Sequence, residues 1–191
     1  MSAYGVPFPR RGANLLITGV GCVNGCHFCS TSHYFSRAYT PFVSSGEELF
    51  QLACRIADET GVNEFFIMDE NFLKTRDRAE GLLAAMEREA RFFTFQIFSS
   101  AETVMEFGID KLQRLGVDFL WIGVESSSPE GNFAKNHGVD PKALIRELRA
   151  RGIRVLASGI VCQEHHTQAN LQQDINFMID LEADLVQFML L

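Results

Sequence analysis

The chain has 191 residues, 47% hydrophobic and 21% charged, a composition ordinary for a globular protein with one sizeable core. Seventeen Lys and Arg against 24 Asp and Glu leave a net charge of −7, which argues against nucleic acid as an obligate partner because phosphate binding needs clustered cations. No apolar run approaches the roughly 18 residues of a membrane-spanning helix and no N-terminal stretch has signal-peptide character, so a reducing cytoplasm is expected, where clustered cysteines bind metal rather than pair.

In chain order, residues 1–13 read as a Pro- and Gly-rich lead-in or linker, and 14–191 as a single domain. The apolar run Asn14–Val20 predicts a strand, and it runs straight into Gly21–Ser30, which holds three of the five cysteines, Cys22, Cys26 and Cys29. A polar and aromatic stretch with Arg37, Tyr39 and Pro41 follows. Ser44 with Glu47, and Ser45 with Glu48, are capping-box pairs that predict a helix with Leu49, Leu52, Ala53, Ile56 and Ala57 on one face, ending near Gly61. Glu64–Met68 predicts a buried strand that ends in Asp69-Glu70-Asn71.

The pattern then repeats. A helix from Thr75 carries Ala79, Leu82, Leu83 and Met86. Phe92–Phe98 is a strand ending at Ser99-Ser100, followed by a helix to Leu115 with a break at Gly108. Val117–Gly123 is a strand ending at Glu125-Ser126-Ser127. After a loop containing Gly and Asn, Asp140-Pro141 supplies an N-cap and a first-turn proline for a helix with Leu144, Ile145 and Leu148. Ile153–Ile160 is a strand, Thr167–Leu181 a helix and Asp184–Leu191 a last strand. Six strands alternating with five helices predict an α/β fold with a parallel sheet, doubly wound or a barrel. Polar residues gather at the C-terminal strand ends, the face on which barrel active sites form.

The cysteine spacing C-x3-C-x2-C places three thiolates on one loop. Three such ligands hold three irons of a cubane cluster and leave the fourth iron open, and an open position marks a metal site that does chemistry. A closed zinc-type site would need a fourth ligand, for which His27 and His33 are near enough in sequence. Cys54 falls on the apolar face of the first helix and reads as a core residue. Cys162 reads as core or loop, and His165-His166 as a helix-start loop with metal binding the lesser alternative. Most of the 17 phenylalanines, including Phe65-Phe66, Phe92-Phe93, Phe95 and Phe98, read as barrel packing.

Cys22-x3-Cys26-x2-Cys29, with Phe28 before the third cysteine, resembles the signature of the radical S-adenosylmethionine (SAM) superfamily. The segments Glu64–Phe72, Trp121–Ser126, Ser158–Glu164 and Asp184–Phe188 resemble the later strands of its cobalamin-associated branch. The resemblance implies a partial (β/α)6 TIM-type barrel of parallel strands, truncated after the sixth strand and lacking the closing helix. It implies a 4Fe-4S cluster on Cys22, Cys26 and Cys29 that cleaves SAM reductively to a 5′-deoxyadenosyl radical, for hydrogen abstraction or methylation of a small or unidentified substrate. Phe28 would pack near the adenine, and Asp69 and Glu70 would meet the methionine ammonium, carboxylates being preferred to Asn71 for a cation. Glu125 and Ser99 or Ser100 would contact the ribose or methionine part, with Ser158 and Gly159 along the adenine. A reductant such as flavodoxin or ferredoxin is implied, and cobalamin would come through a domain outside these residues. The competing expectation is a closed metal-binding or electron-transfer module without SAM chemistry.

Overall fold

The computed structural model describes residues 12–127, 136 and 138–191, and the backbone at 2–3 and 6–7. Part of the loop expected between residues 127 and 140 therefore lies outside the described residues. Six parallel strands form one sheet: β1 (Asn14–Leu16), β2 (Glu64–Ile67), β3 (Thr94–Ser99), β4 (Val117–Glu125), β5 (Arg154–Val161) and β6 (Leu185–Leu190). They pair strictly in sequence order, from β1 at one edge to β6 at the other, so the sheet is an open, partial barrel rather than a closed one. Within the expected lead-in, Ser2–Ala3 pairs antiparallel with Val6–Pro7.

The connecting helices are α2 (Gly46–Thr60), α3 (Arg76–Arg88), the pair α4 (Ala101–Phe107) and α5 (Ile109–Arg114), α6 (Pro141–Ala150) and α7 (Gln168–Asp180), with a short α1 (Ser30–Tyr34) in the cysteine loop. Local sequence explains their limits. Ser45 and Glu48 form the complete capping box of α2, Asp140 caps α6 ahead of Pro141, and the α4–α5 break falls at Gly108. The buried face of α2 is Leu49, Phe50, Ala53 and Ala57, while Leu52, Cys54 and Ile56 pack against the core from its margin.

Two expectations are corrected. The strand expected over 14–20 is two elements: β1 stops at Leu16, and Gly19–Gly21 pairs antiparallel with Tyr39–Pro41 across the ends of the cysteine loop. Glycine is required at 21, where φ is +92° and a Cβ would lie 2.2 Å from the Ala38 carbonyl oxygen. The phenylalanines also divide. Phe65, Phe93 and Phe95 are buried, but Phe92 is 58% exposed. Strand β3 alternates, with Phe95, Ile97 and Ser99 buried and Thr94, Gln96 and Phe98 half-buried. Because the open sheet is covered by helices on one face, its other face keeps half-buried aromatics; there Phe66 stacks on Phe98 at 5.2 Å, and Phe98 meets Trp121 at a tilt at 4.8 Å.

Candidate active site

Strand β1 delivers the chain to the cysteine loop, and the other strands end beside it. One cavity of about 180 Å³ is lined by Cys22, Cys26 and Cys29, by Phe28, and by the strand-end residues Glu70, Ser99, Ser100, Glu125 and Ser158. Asn24, Ser32, Asn71, Phe98, Trp121, Gly123 and Met189 complete its wall. A larger cavity of about 410 Å³ adjoins it, sharing Cys22 and Asn71 and running along Lys74–Asp77 at the start of α3.

The loop turns sharply enough to bring its cysteines to one wall. The Cys29 amide donates to the Cys26 carbonyl at 3.0 Å, and α1 begins immediately after. All three cysteines are partly accessible. His27 and His33 are exposed and absent from the cavity wall, so neither supplies the fourth ligand that a closed site would need. Cys54 sits on α2, with its thiol pushed up by burial, and Cys162 is exposed beyond β5. The donor set in the cavity therefore fits a group held by three thiolates with one position left open.

The strand-two triplet splits three ways. Glu70 alone brings a carboxylate into the cavity. Asn71 is buried in a polar knot: its amide donates to Ser100 Oγ at 2.7 Å, and its Oδ1 accepts from Ser99 Oγ at 2.8 Å and Thr103 Oγ1 at 3.1 Å. Ser99 and Ser100 are thereby fixed in the wall. Asp69 is 1% exposed and turns away, toward Arg78, Tyr39 and Thr18. Gly159 also stands outside the cavity wall, where an added Cβ would lie 3.3 Å from the Glu125 carbonyl oxygen and 3.4 Å from Met178.

Glu125 reaches the cavity through a local distortion. The β4–β5 register slips between Gly123 and Glu125, and Glu125 adopts φ +73°, a conformation that costs a non-glycine residue about 1–2 kcal/mol. The residues after it are held by Asp174 on α7. Ser126 Oγ donates to Asp174 Oδ2 at 2.5 Å, and the Ser127 amide and hydroxyl donate to Oδ1 at 2.8 and 2.5 Å. His166 Nε2 lies 3.1 Å from the same carboxylate, while its Nδ1 accepts from the Gln163 amide at 3.0 Å. Ligand atoms of His165, His166 and Asp174 lie within 4.8 Å of one another, but Nδ1 of His166 accepts a backbone bond where a metal-ligating histidine would donate, so the arrangement fits a hydrogen-bond network better than a metal centre.

Residues 16–178 match the model of the Radical SAM superfamily. The chain belongs to that superfamily. An uncharacterized methyltransferase of Pyrococcus horikoshii is 25% identical over 189 residues, covering 97% of this chain and 40% of that protein. The cytidylyl-2-hydroxyethylphosphonate methyltransferase of Streptomyces wedmorensis is 32% identical over 72 residues, 38% of this chain and 13% of the relative. Among solved structures, the radical SAM methyltransferase TsrM of Kitasatospora setae, with cobalamin and a [4Fe-4S] cluster bound, superposes with a TM-score of 0.75 at 16% identity, over 94% of this chain and 34% of that one. Coproporphyrinogen III oxidase (HemN) of Escherichia coli gives 0.64 at 15% identity, over 96% and 45%. The structural likenesses concern the fold, and the chain spans less than half the length of these relatives.

The radical SAM fold explains why the strand-end signal was readable from sequence. Phe98, Trp121 and Met189 were missed as cavity residues because they lie inside apolar strands. Strand parity was an available signal for Trp121, which precedes Gly123 by two residues within β4.

Proposed function

We infer that this chain is the catalytic core of a radical SAM enzyme. One observation carries the reading: Cys22, Cys26 and Cys29 share a single cavity with the carboxylates of Glu70 and Glu125 at the C-terminal ends of the strands. Three thiolates would hold a [4Fe-4S] cluster and leave one iron open to the amino and carboxylate groups of SAM. Such a cluster, when bound, supplies the electron that cleaves the carbon–sulfur bond, giving methionine and a 5′-deoxyadenosyl radical.

The protein's own residues bind and orient. Glu70 is the carboxylate suited to the methionine ammonium, Glu125 and Ser99 to the ribose or methionine part, and Phe28 with Ser158 to the adenine. The half-buried Phe98 and Trp121 supply apolar surface beside the reacting groups and help exclude water. Methyl transfer is the favoured reaction class, because the names of both sequence relatives and of TsrM include methyltransferase. Cobalamin, bound in TsrM, would be supplied by a part of a longer protein, and a small electron-transfer protein would serve as reductant.

The test is anaerobic reconstitution with iron and sulfide, followed by SAM and dithionite. About four irons per chain and formation of 5′-deoxyadenosine are expected. Substituting Cys22, Cys26 or Cys29 by Ala should abolish both, while His27→Ala and His33→Ala should retain the iron. Loss of iron in the histidine variants, with no SAM cleavage by the unsubstituted chain, would instead support a closed metal module.

A further inference from the structure

We propose that Asp69 is a positioning residue that latches the two ends of the cysteine loop together, and not a ligand of SAM. The proposal rests on the reading of Cys22, Cys26 and Cys29 as cluster ligands. Thr18 lies four residues before Cys22, and Tyr39 ten residues after Cys29. Both end on one carboxylate. The Thr18 amide donates to Asp69 Oδ1 at 3.0 Å and its hydroxyl to Oδ2 at 2.6 Å, and the Tyr39 hydroxyl donates to Oδ2 at 2.6 Å.

Arg78, from α3, closes the latch. Its Nη2 donates to Asp69 Oδ2 at 2.6 Å and its Nη1 to the Tyr39 hydroxyl at 2.6 Å, with longer bonds to the carbonyls of Thr18 and Val43 at 3.4 and 3.3 Å. The guanidinium is 5.4 Å from the Tyr39 ring centroid and 5.3 Å from that of Phe72. Both charged side chains are almost fully buried, at 1% and 0% exposure. Removing either charge would strand the other out of water, the costly case for a buried pair. With four donors on two oxygens, the Asp69 carboxylate is occupied within the protein.

The consequence reaches the cavity through chain neighbours. Asp69 fixes the loop ends to the tip of β2, and the next two residues, Glu70 and Asn71, line the same cavity as the cysteines. One buried carboxylate therefore sets the cysteine wall against the Glu70 wall. A mere packing role would not predict an effect confined to the loop.

The decisive experiment compares Asp69→Asn, Tyr39→Phe and Thr18→Val with the unsubstituted chain and with Glu70→Gln. Two quantities are read without turnover: hydrogen exchange of residues 19–41 in the cluster-free chain, and iron content with the reduced electron paramagnetic resonance signal after reconstitution without SAM. Asp69→Asn should speed exchange in 19–41 at least tenfold and lose most of the iron. Tyr39→Phe and Thr18→Val should shift both readouts less, in the same direction, and Glu70→Gln neither. If Asp69→Asn keeps normal exchange, iron and signal and loses only SAM binding, the latch is overturned and Asp69 is a ligand. If Asp69→Asn does not fold, the two hydroxyl variants decide, and wild-type behaviour in both overturns the proposal. An unsubstituted chain that takes up no iron defeats the cluster reading alone, since the exchange measurement still tests the latch.

Discussion

Ser126 Oγ donates a 2.5 Å hydrogen bond to Asp174 Oδ2 across 48 residues of chain, tying the turn after Glu125 to helix α7. The same carboxylate receives both donors of Ser127 and Nε2 of His166, so one aspartate holds the turn in which Glu125 keeps its positive φ. Asp174→Ala should remove these four hydrogen bonds and cost about 2–3 kcal/mol of stability. A folded variant should also bind SAM more weakly, on the order of tenfold, equivalent to about 1.4 kcal/mol. Denaturant unfolding and equilibrium binding measure the two effects, and undiminished binding would show that the turn holds Glu125 without Asp174.

Asp174 also gives a pH dependence with a definite sign. Burial pushes its carboxyl up, but the bonds from Ser126, Ser127 and His166 outweigh this and hold it below the ordinary value. A carboxyl depressed on folding adds stability that is present above its unfolded value of about 3.9 and lost as pH falls through the folded value. Unfolding free energy should therefore drop as pH falls below about 5 in the wild type, and less steeply in Asp174→Asn. Equal slopes would assign the acid loss to other carboxylates.

The contact of α2 with α3 is set by two glycines that differ in tolerance. A Cβ on Gly46 would lie 2.1 Å from the Leu82 nitrogen and 2.3 Å from the Gly81 carbonyl carbon, both backbone atoms, whereas a Cβ on Gly81 would lie 3.3 Å from the Gly46 Cα. Gly46→Ala should force the helices apart and cost about 1–3 kcal/mol. Gly81→Ala should change stability by less, since its helix-propensity gain of about 1 kcal/mol offsets the tight contact. Thermal melts of the two variants test the order.

Trp121 is the single tryptophan of the chain and lines the cavity with the three cysteines. Its fluorescence should be quenched when iron and sulfide are loaded, and should recover on chelation. Cys26→Ala should abolish the quenching, and Cys54→Ala, on α2, should leave it intact. Quenching in both variants alike would place the iron elsewhere.

Most of the fold was legible because its signals are local. The Ser45–Glu48 capping box, Asp140-Pro141 and the break at Gly108 act within a few residues, and apolar runs alternating with amphipathic ones specify strand and helix without knowledge of the neighbours. The exception near the site has a physical cause. Residues 14–20 carry strand-like side chains throughout, but the Thr18 carbonyl takes its hydrogen bonds from Phe42 and Val43, and this distant pairing breaks the strand.

The sequence by itself determined the cysteine spacing, the order of strands and helices and the gathering of polar residues at strand ends, since each follows from composition and period along the chain. Only the tertiary structure decided what each of three adjacent polar residues does. Asp69, Glu70 and Asn71 are chemically similar candidates, and their roles depend on partners from other elements: Arg78 with Tyr39 and Thr18 for Asp69, Ser99, Ser100 and Thr103 for Asn71, and the open cavity for Glu70. A buried carboxylate goes where donors compensate its lost water, and those donors come together only when the chain has folded.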